Sequence, residues 1–195
     1  MITLGAASQS VVSGGANELV KATAANAGAA VSGVGANSTL EVTSGGTVTE
    51  NAVTSVATVK LDSATILTLN GMAFITAKGS TGIDTIAAGG SNQTLTGGSG
   101  ADSLIGYSGG SDSFLDTASG LNGDTISNFL PSDAIDITDL GFAGAALKIT
   151  ASGLNTLVTA TSGASKTTFT LAGSFSSAGF VLASDGHAGT LITHG

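Results

Sequence analysis

The chain reads as an all-β protein, a parallel β-roll or β-solenoid closed by a C-terminal β cap. Two observations carry that reading. Composition comes first: 30 Gly, a single Pro, 42% apolar residues and only 4% aromatic residues suit short strands and tight turns better than packed helices. The second is periodicity. A nine-residue glycine rhythm runs from Gly79, and a nineteen-residue repeat of alternating apolar positions precedes it.

Three stretches follow, residues 1–78, 79–132 and 133–195. In the first, Leu40, Val42, Val48 and Asn51 align with Val59, Leu61, Leu67 and Asn70. Period-two alternation within each copy predicts strands, and the repeat predicts a solenoid coil that needs no metal. The Ala-rich segment 18–31 is a short helix or an irregular cap.

The second stretch is built of nonapeptides. One is Gly97-Gly98-Ser99-Gly100-Ala101-Asp102-Ser103-Leu104-Ile105, and Gly79 opens a related unit holding Gly82, Asp84 and Ile86. A polar position recurs as Asp84, Gln93 and Asp102, and an apolar one as Ile86, Leu95 and Leu104. Each unit predicts a six-residue turn followed by a three-residue strand, with Gly supplying positive φ and close backbone approach. Two units make one coil, so Asp84 lies under Asp102 while Gln93 falls in the opposite row. The fourth unit slips by one residue before Asp112, and Gly123-Asp124-Thr125-Ile126 repeats the pattern once more.

Eight Asp and no Lys or Arg lie between Gly79 and Leu147. Stacked carboxylates repel one another unless a cation bridges them, and Ca2+ accepts a flexible shell of carboxylate and carbonyl oxygens. The expected metal residues are Asp84, Asp102, Asp112, Asp124, Asp133 and Asp136, with Gly82, Gly98 and Gly100 of the turns, whose backbone carbonyls complete the shell. The bland reading, solvated Asp in polar turns, does not explain the nine-residue phase.

The nonapeptide resembles the calcium-binding repeat of repeats-in-toxin (RTX) proteins, G-G-x-G-x-D-x-U-x. The match is full at residues 97–105, good at 79–87 and partial elsewhere. Gln93, a weak ligand, and the slip before Asp112 depart from the pattern. Residues 123–140 are similar to the segment that closes many such arrays. The ending Asp185-Gly186-His187-Ala188-Gly189-Thr190-Leu191-Ile192-Thr193 resembles the C-termini of proteins exported by Gram-negative type I secretion. The resemblance implies one to three calcium ions, export through the type I machinery and folding outside the cell.

The third stretch holds Phe142, Phe169, Phe175 and Phe180, four of the seven Phe. Strands are expected at 146–151, 155–160, 167–172, 179–183 and 190–193, as antiparallel hairpins or larger coils capping the roll.

Other chemistries fit poorly. The net charge of −8 and the absence of Arg argue against nucleic acid. The N-terminus lacks the basic and apolar regions of a secretory signal, and no stretch is long enough to span a membrane. Absence of Cys suits a chain exported unfolded. Gly106-Tyr107-Ser108-Gly109-Gly110 matches the nucleophile-elbow pattern, followed by Asp133 or Asp136 and then His187. That elbow requires a strand before the Ser and a helix after it, whereas glycine-rich turns flank it here. No catalysis is expected within these residues.

The expected function is a secreted calcium-binding structural protein that folds on extracellular calcium and self-assembles into a homo-oligomer or polymer. An S-layer, filament or biofilm scaffold fits, with a cell-surface polysaccharide as a further partner. The alternative is the C-terminal secretion and folding module of a larger exported enzyme or adhesin. Met1 and the absence of a catalytic domain favour the first.

Overall fold

The computed structural model describes residues 1–3, 11–12, 15–27, 31–32, 37–49 and 56–195. The chain coils so that successive strands alternate between two facing sheets. One sheet, here sheet A, takes β1 (Ile2–Thr3), β3 (Leu19–Ala22), β5 (Thr39–Val42), β7 (Thr58–Leu61), β9 (Thr76–Lys78), β11 (Thr94–Thr96), β13 (Ser113–Asp116) and β15 (Ala134–Ile137) in parallel order. The other, sheet B, takes β6 (Gly46–Thr49), β8 (Thr65–Thr68), β10 (Thr85–Ala87), β12 (Ser103–Ile105) and β14 (Thr125–Ser127). A small pair, β2 (Val11–Val12) with β4 (Val31–Ser32), accompanies the first coils.

Register follows the sequence repeats. Leu40 pairs with Val59, Val42 with Leu61 and Val48 with Leu67. Asn51 lies outside the described residues. Both sheets run unbroken across residue 78, because β9 pairs with β11 and β8 with β10. The solenoid and the roll are therefore one stack.

Alternation explains the core. In each three-residue strand the central side chain points inward, and Ile86, Leu95, Leu104 and Ile126 are fully buried. They continue two columns, Val20, Leu40 and Val59 in one sheet and Val48 and Leu67 in the other, which share one core. Burying a large aliphatic side chain contributes about 1.5–3 kcal/mol, so each coil stabilises the next through one or two such residues.

The ends of the stack differ. Near the N-terminus, α1 (Ala24–Ala27) lies over β6, where a Cβ on Gly46 would approach Ala24 Cβ to 2.8 Å. The Ala-rich segment thus supplies a single helical turn as a cap, and residues 28–30 lie outside the described residues.

At the C-terminus the parallel pattern stops. β16 (Ala146–Ser152), β17 (Asn155–Ser162) and β18 (Ser165–Leu171) form an antiparallel meander joined through β18 to β14. β19 (Phe180–Ser184) and β20 (Thr190–His194) form a hairpin that pairs antiparallel with β15. Phe114, Phe129, Phe175 and Phe180 make a chain of edge-on and tilted aromatic contacts, with successive centroids 6.1–6.2 Å apart, from the core to this end. No described helix is long and apolar enough to cross a membrane.

Candidate metal centre

The carboxylates owe their position to strand parity. Asp84, Asp102 and Asp124 each precede a strand by one residue, two positions before the buried Ile86, Leu104 and Ile126. Period two turns both residues inward, and all three Asp are buried. Gln93, Asp112 and Asp133 hold the matching place before strands of sheet A and are buried as well.

Each carboxylate reaches back one coil. Asp84 Oδ1 accepts from the Thr65 N–H at 2.6 Å, Asp102 Oδ1 from Asp84 N–H at 2.7 Å, and Asp124 Oδ1 from Asp102 N–H at 2.8 Å. In the second row, Asp112 Oδ1 accepts from Gln93 N–H and Asp133 Oδ1 from Asp112 N–H, at 3.0 and 2.8 Å. The one-residue slip before Asp112 is absorbed in its turn, so the stacking survives it.

The second oxygens separate the positions. Asp84 Oδ2 accepts from Ser80 N–H and Oγ–H at 2.7 and 2.8 Å. Asp112 Oδ2 accepts from Tyr107 N–H, and Asp133 Oδ2 from Leu130 N–H. Asp102 Oδ2 and Asp124 Oδ2 are buried with no hydrogen-bond partner. A Cβ on Gly97 would lie 2.6 Å from the first and 3.0 Å from the second, so both oxygens lie over that glycine. A buried carboxylate oxygen without a donor is costly, and a cation is the usual remedy.

Backbone oxygens add to this environment. Gly98 and Gly100 have φ of 92° and 149°, which L side chains rarely adopt. A Cβ on Gly100 would lie 2.7 Å from the Gly82 carbonyl oxygen and 3.0 Å from Asp102 Oδ1. Gly82 has no unusual φ; it lies against Ala64, and its carbonyl is its contribution.

Asp116, which sequence reasoning did not single out, also belongs here. It ends β13, is buried, and accepts from Gly98 N–H at 2.9 Å through Oδ2. Its signal in sequence is weak because it ends a strand instead of preceding one.

Charge accumulates without relief. Burial pushes Asp102 up to about 6, and the charges of Asp84 and Asp116 add to the rise. Burial pushes Asp124 to about 7, with Asp102 and Asp116 adding to it. Asp116 and Asp133 are raised by burial too. Among the described residues, no three His, Cys, Asp or Glu side chains converge as a ready-made metal cluster. A cation here would therefore rest on Asp102 and Asp124, with backbone carbonyls of the turns completing its shell. A hard, oxygen-seeking cation such as Ca2+ suits that donor set.

Asp136 stands apart. It lies between the inward Ile135 and Ile137 on β15 and so points to the outer face. Its buried Oδ1 has no hydrogen-bond partner, and burial, then the charge of Asp185, raise its carboxyl against the opposing effect of His187. Ser108 is exposed in the turn between β12 and β13, with a strand on either side and no following helix. Asp133 is committed to the amides of Asp112 and Leu130.

No family model matches this chain, and comparison with curated proteins and with solved structures finds no match.

Proposed function

We propose that this chain is a secreted, calcium-binding structural protein of the RTX type, ordered by extracellular calcium and assembling with copies of itself at a cell surface or in a matrix. One observation carries the calcium part: Asp102 Oδ2 and Asp124 Oδ2 are buried over one glycine with neither a donor nor a basic side chain between residues 79 and 147. Calcium would supply the missing positive charge, and Asp102, Asp124 and the surrounding carbonyls would hold it. Extracellular calcium sites bind at about 10⁻⁴–10⁻³ M, so they stay empty in a cytosol and fill outside the cell. Binding to the folded form alone then draws the chain toward it.

Self-assembly rests on the ends of the sheets. β16 and β19 are edge strands whose residues are mostly exposed, and the chain carries only 9% charged residues to keep such edges apart. The test is light scattering with negative-stain microscopy during a calcium titration from EGTA. Filaments or sheets that appear with calcium are the expected result. A monomer that binds calcium without assembling would favour a secretion and folding module of a larger protein. Absence of binding at 10 mM calcium (about tenfold above the weakest expected affinity) would overturn the calcium reading.

A further inference from the structure

One position in the sheet A row of turns breaks the carboxylate pattern. Gln93 takes the place that Asp112 and Asp133 take in the following coils, and it is fully buried. Its Oε1 accepts from Gly89 N–H at 2.9 Å, just as Asp112 Oδ2 and Asp133 Oδ2 accept from amides of their own turns. The other half of the amide has no carboxylate counterpart. Nε2 donates to the Asn70 carbonyl at 2.9 Å and to the Met72 carbonyl at 2.6 Å, one coil back. The reversed amide orientation would set oxygen against both carbonyls and nitrogen against the Gly89 N–H, losing all three bonds.

Two backbone carbonyls converging on one point form part of a cation shell. Here the positive end of a neutral side chain fills it. We propose that Gln93 is a built-in substitute for a cation, closing the turns at 70–93 without metal and leaving that coil as an ordered template for the carboxylate turns stacked on it. The need of the Asp102 and Asp124 turns for metal rests on the calcium reading above. The metal-free closure at Gln93 rests on its own two bonds.

Hydrogen exchange in EGTA at pH 8 tests this on the full chain. The amides to follow are Gly89 N–H, bound to Gln93 Oε1, and Thr94 N–H, bound to the Ile75 carbonyl. In the wild type both should be protected without metal. Gln93→Glu keeps the shape, removes both donors and sets a charge against two carbonyls. It should lower protection by about tenfold or more in EGTA, the loss expected from one or two buried hydrogen bonds. Millimolar calcium should restore it, with one more ion bound per chain than in the wild type. Gln93→Leu should lose protection in EGTA and not regain it with calcium.

Two results would overturn the proposal: a Gln93→Glu chain as protected as wild type in EGTA, or calcium restoring Gln93→Glu no better than Gln93→Leu. Failure of the calcium reading is seen separately, as a wild type that binds no calcium.

Discussion

Glu41 and Asp102 are both buried carboxylates in one continuous stack, in different electrostatic surroundings. Glu41 sits on β5 between Lys21 and Lys60, its register partners on β3 and β7, with Nζ atoms 2.8 and 3.8 Å away. Lys60 also reaches Asp62 at 2.7 Å, and that hydrogen bond holds the Asp62 carboxyl below its usual range. Asp102 and Asp124 have no such neighbour, and burial lifts them to about 6 and about 7. The N-terminal coils thus carry their own counter-charges in the sheet ladder. The roll concentrates negative charge in its turns, and on the proposed reading it takes its counter-charge from the medium. Core and strand register are shared across both regions, so the difference lies in the turns and on the outer face.

The largest effects should ignore that difference. Leu61 and Leu104 are buried leucines of the shared core, one in each region. Leu61→Ala and Leu104→Ala should each cost about 2–5 kcal/mol in denaturant unfolding, by lost burial plus the cavity left behind. A much smaller cost in either region would show that the two do not share one core.

Acidity should separate the regions next. The raised carboxyls keep protons in the folded chain that the unfolded chain releases above about pH 4. Metal-free stability should therefore be greatest below about pH 4 and fall as pH rises toward 7, through the folded values of about 6 for Asp102 and about 7 for Asp124. Thermal melts in EGTA across this range check it. Calcium, which needs both groups ionised, should give its largest gain at the alkaline end, where the metal-free chain is weakest.

Much of this was legible in the sequence, because one rule, strand parity, governs both core and turns. Asp-x-Ile and Asp-x-Leu place carboxylate and apolar side chain on the same inward side, and the nine-residue phase stacks them. Parity also turns Asp136 outward between Ile135 and Ile137. Other features depended on the path of the chain. Asp116 turns inward at the end of β13, but its place at the centre shows only in its hydrogen bond to the Gly98 amide, one coil back. Gln93 reads as a weak ligand until the carbonyls of Asn70 and Met72 are found beneath its amide. The C-terminal strands were visible as alternation, but their pairing, parallel against β14 and antiparallel against β15, depends on contacts distant in sequence.

A smaller test concerns the ion ladder. Glu41→Gln should cost at most about 1 kcal/mol, since Lys21 and Lys60 are exposed enough to rehydrate, and the loss should be the same with and without calcium. A calcium-dependent loss would mean that the two regions are electrostatically coupled.

The smallest concerns the turns of sheet A. Asn17, Asn37, Phe74, Asn92 and Ser111 each stand two residues before a strand with φ near 60–68°. Phe74 alone is bulky there, and it is 76% exposed. Phe74→Asn should stabilise the chain by about 0.5–1 kcal/mol, through a residue suited to that backbone. A destabilised variant would show that the exposed ring makes a contact worth more than the strain.

The central claim, that the roll lacks a positive charge which calcium supplies, is most directly tested by Asp102→Asn and Asp124→Asn in paired thermal melts at pH 7.5, in EGTA and in millimolar calcium. Asn keeps the oxygen that accepts the neighbouring amide and removes the buried charge. Each variant should melt above the wild type in EGTA and lose most of the calcium-induced rise. Variants that melt below the wild type in EGTA and keep its full response to calcium would contradict the account.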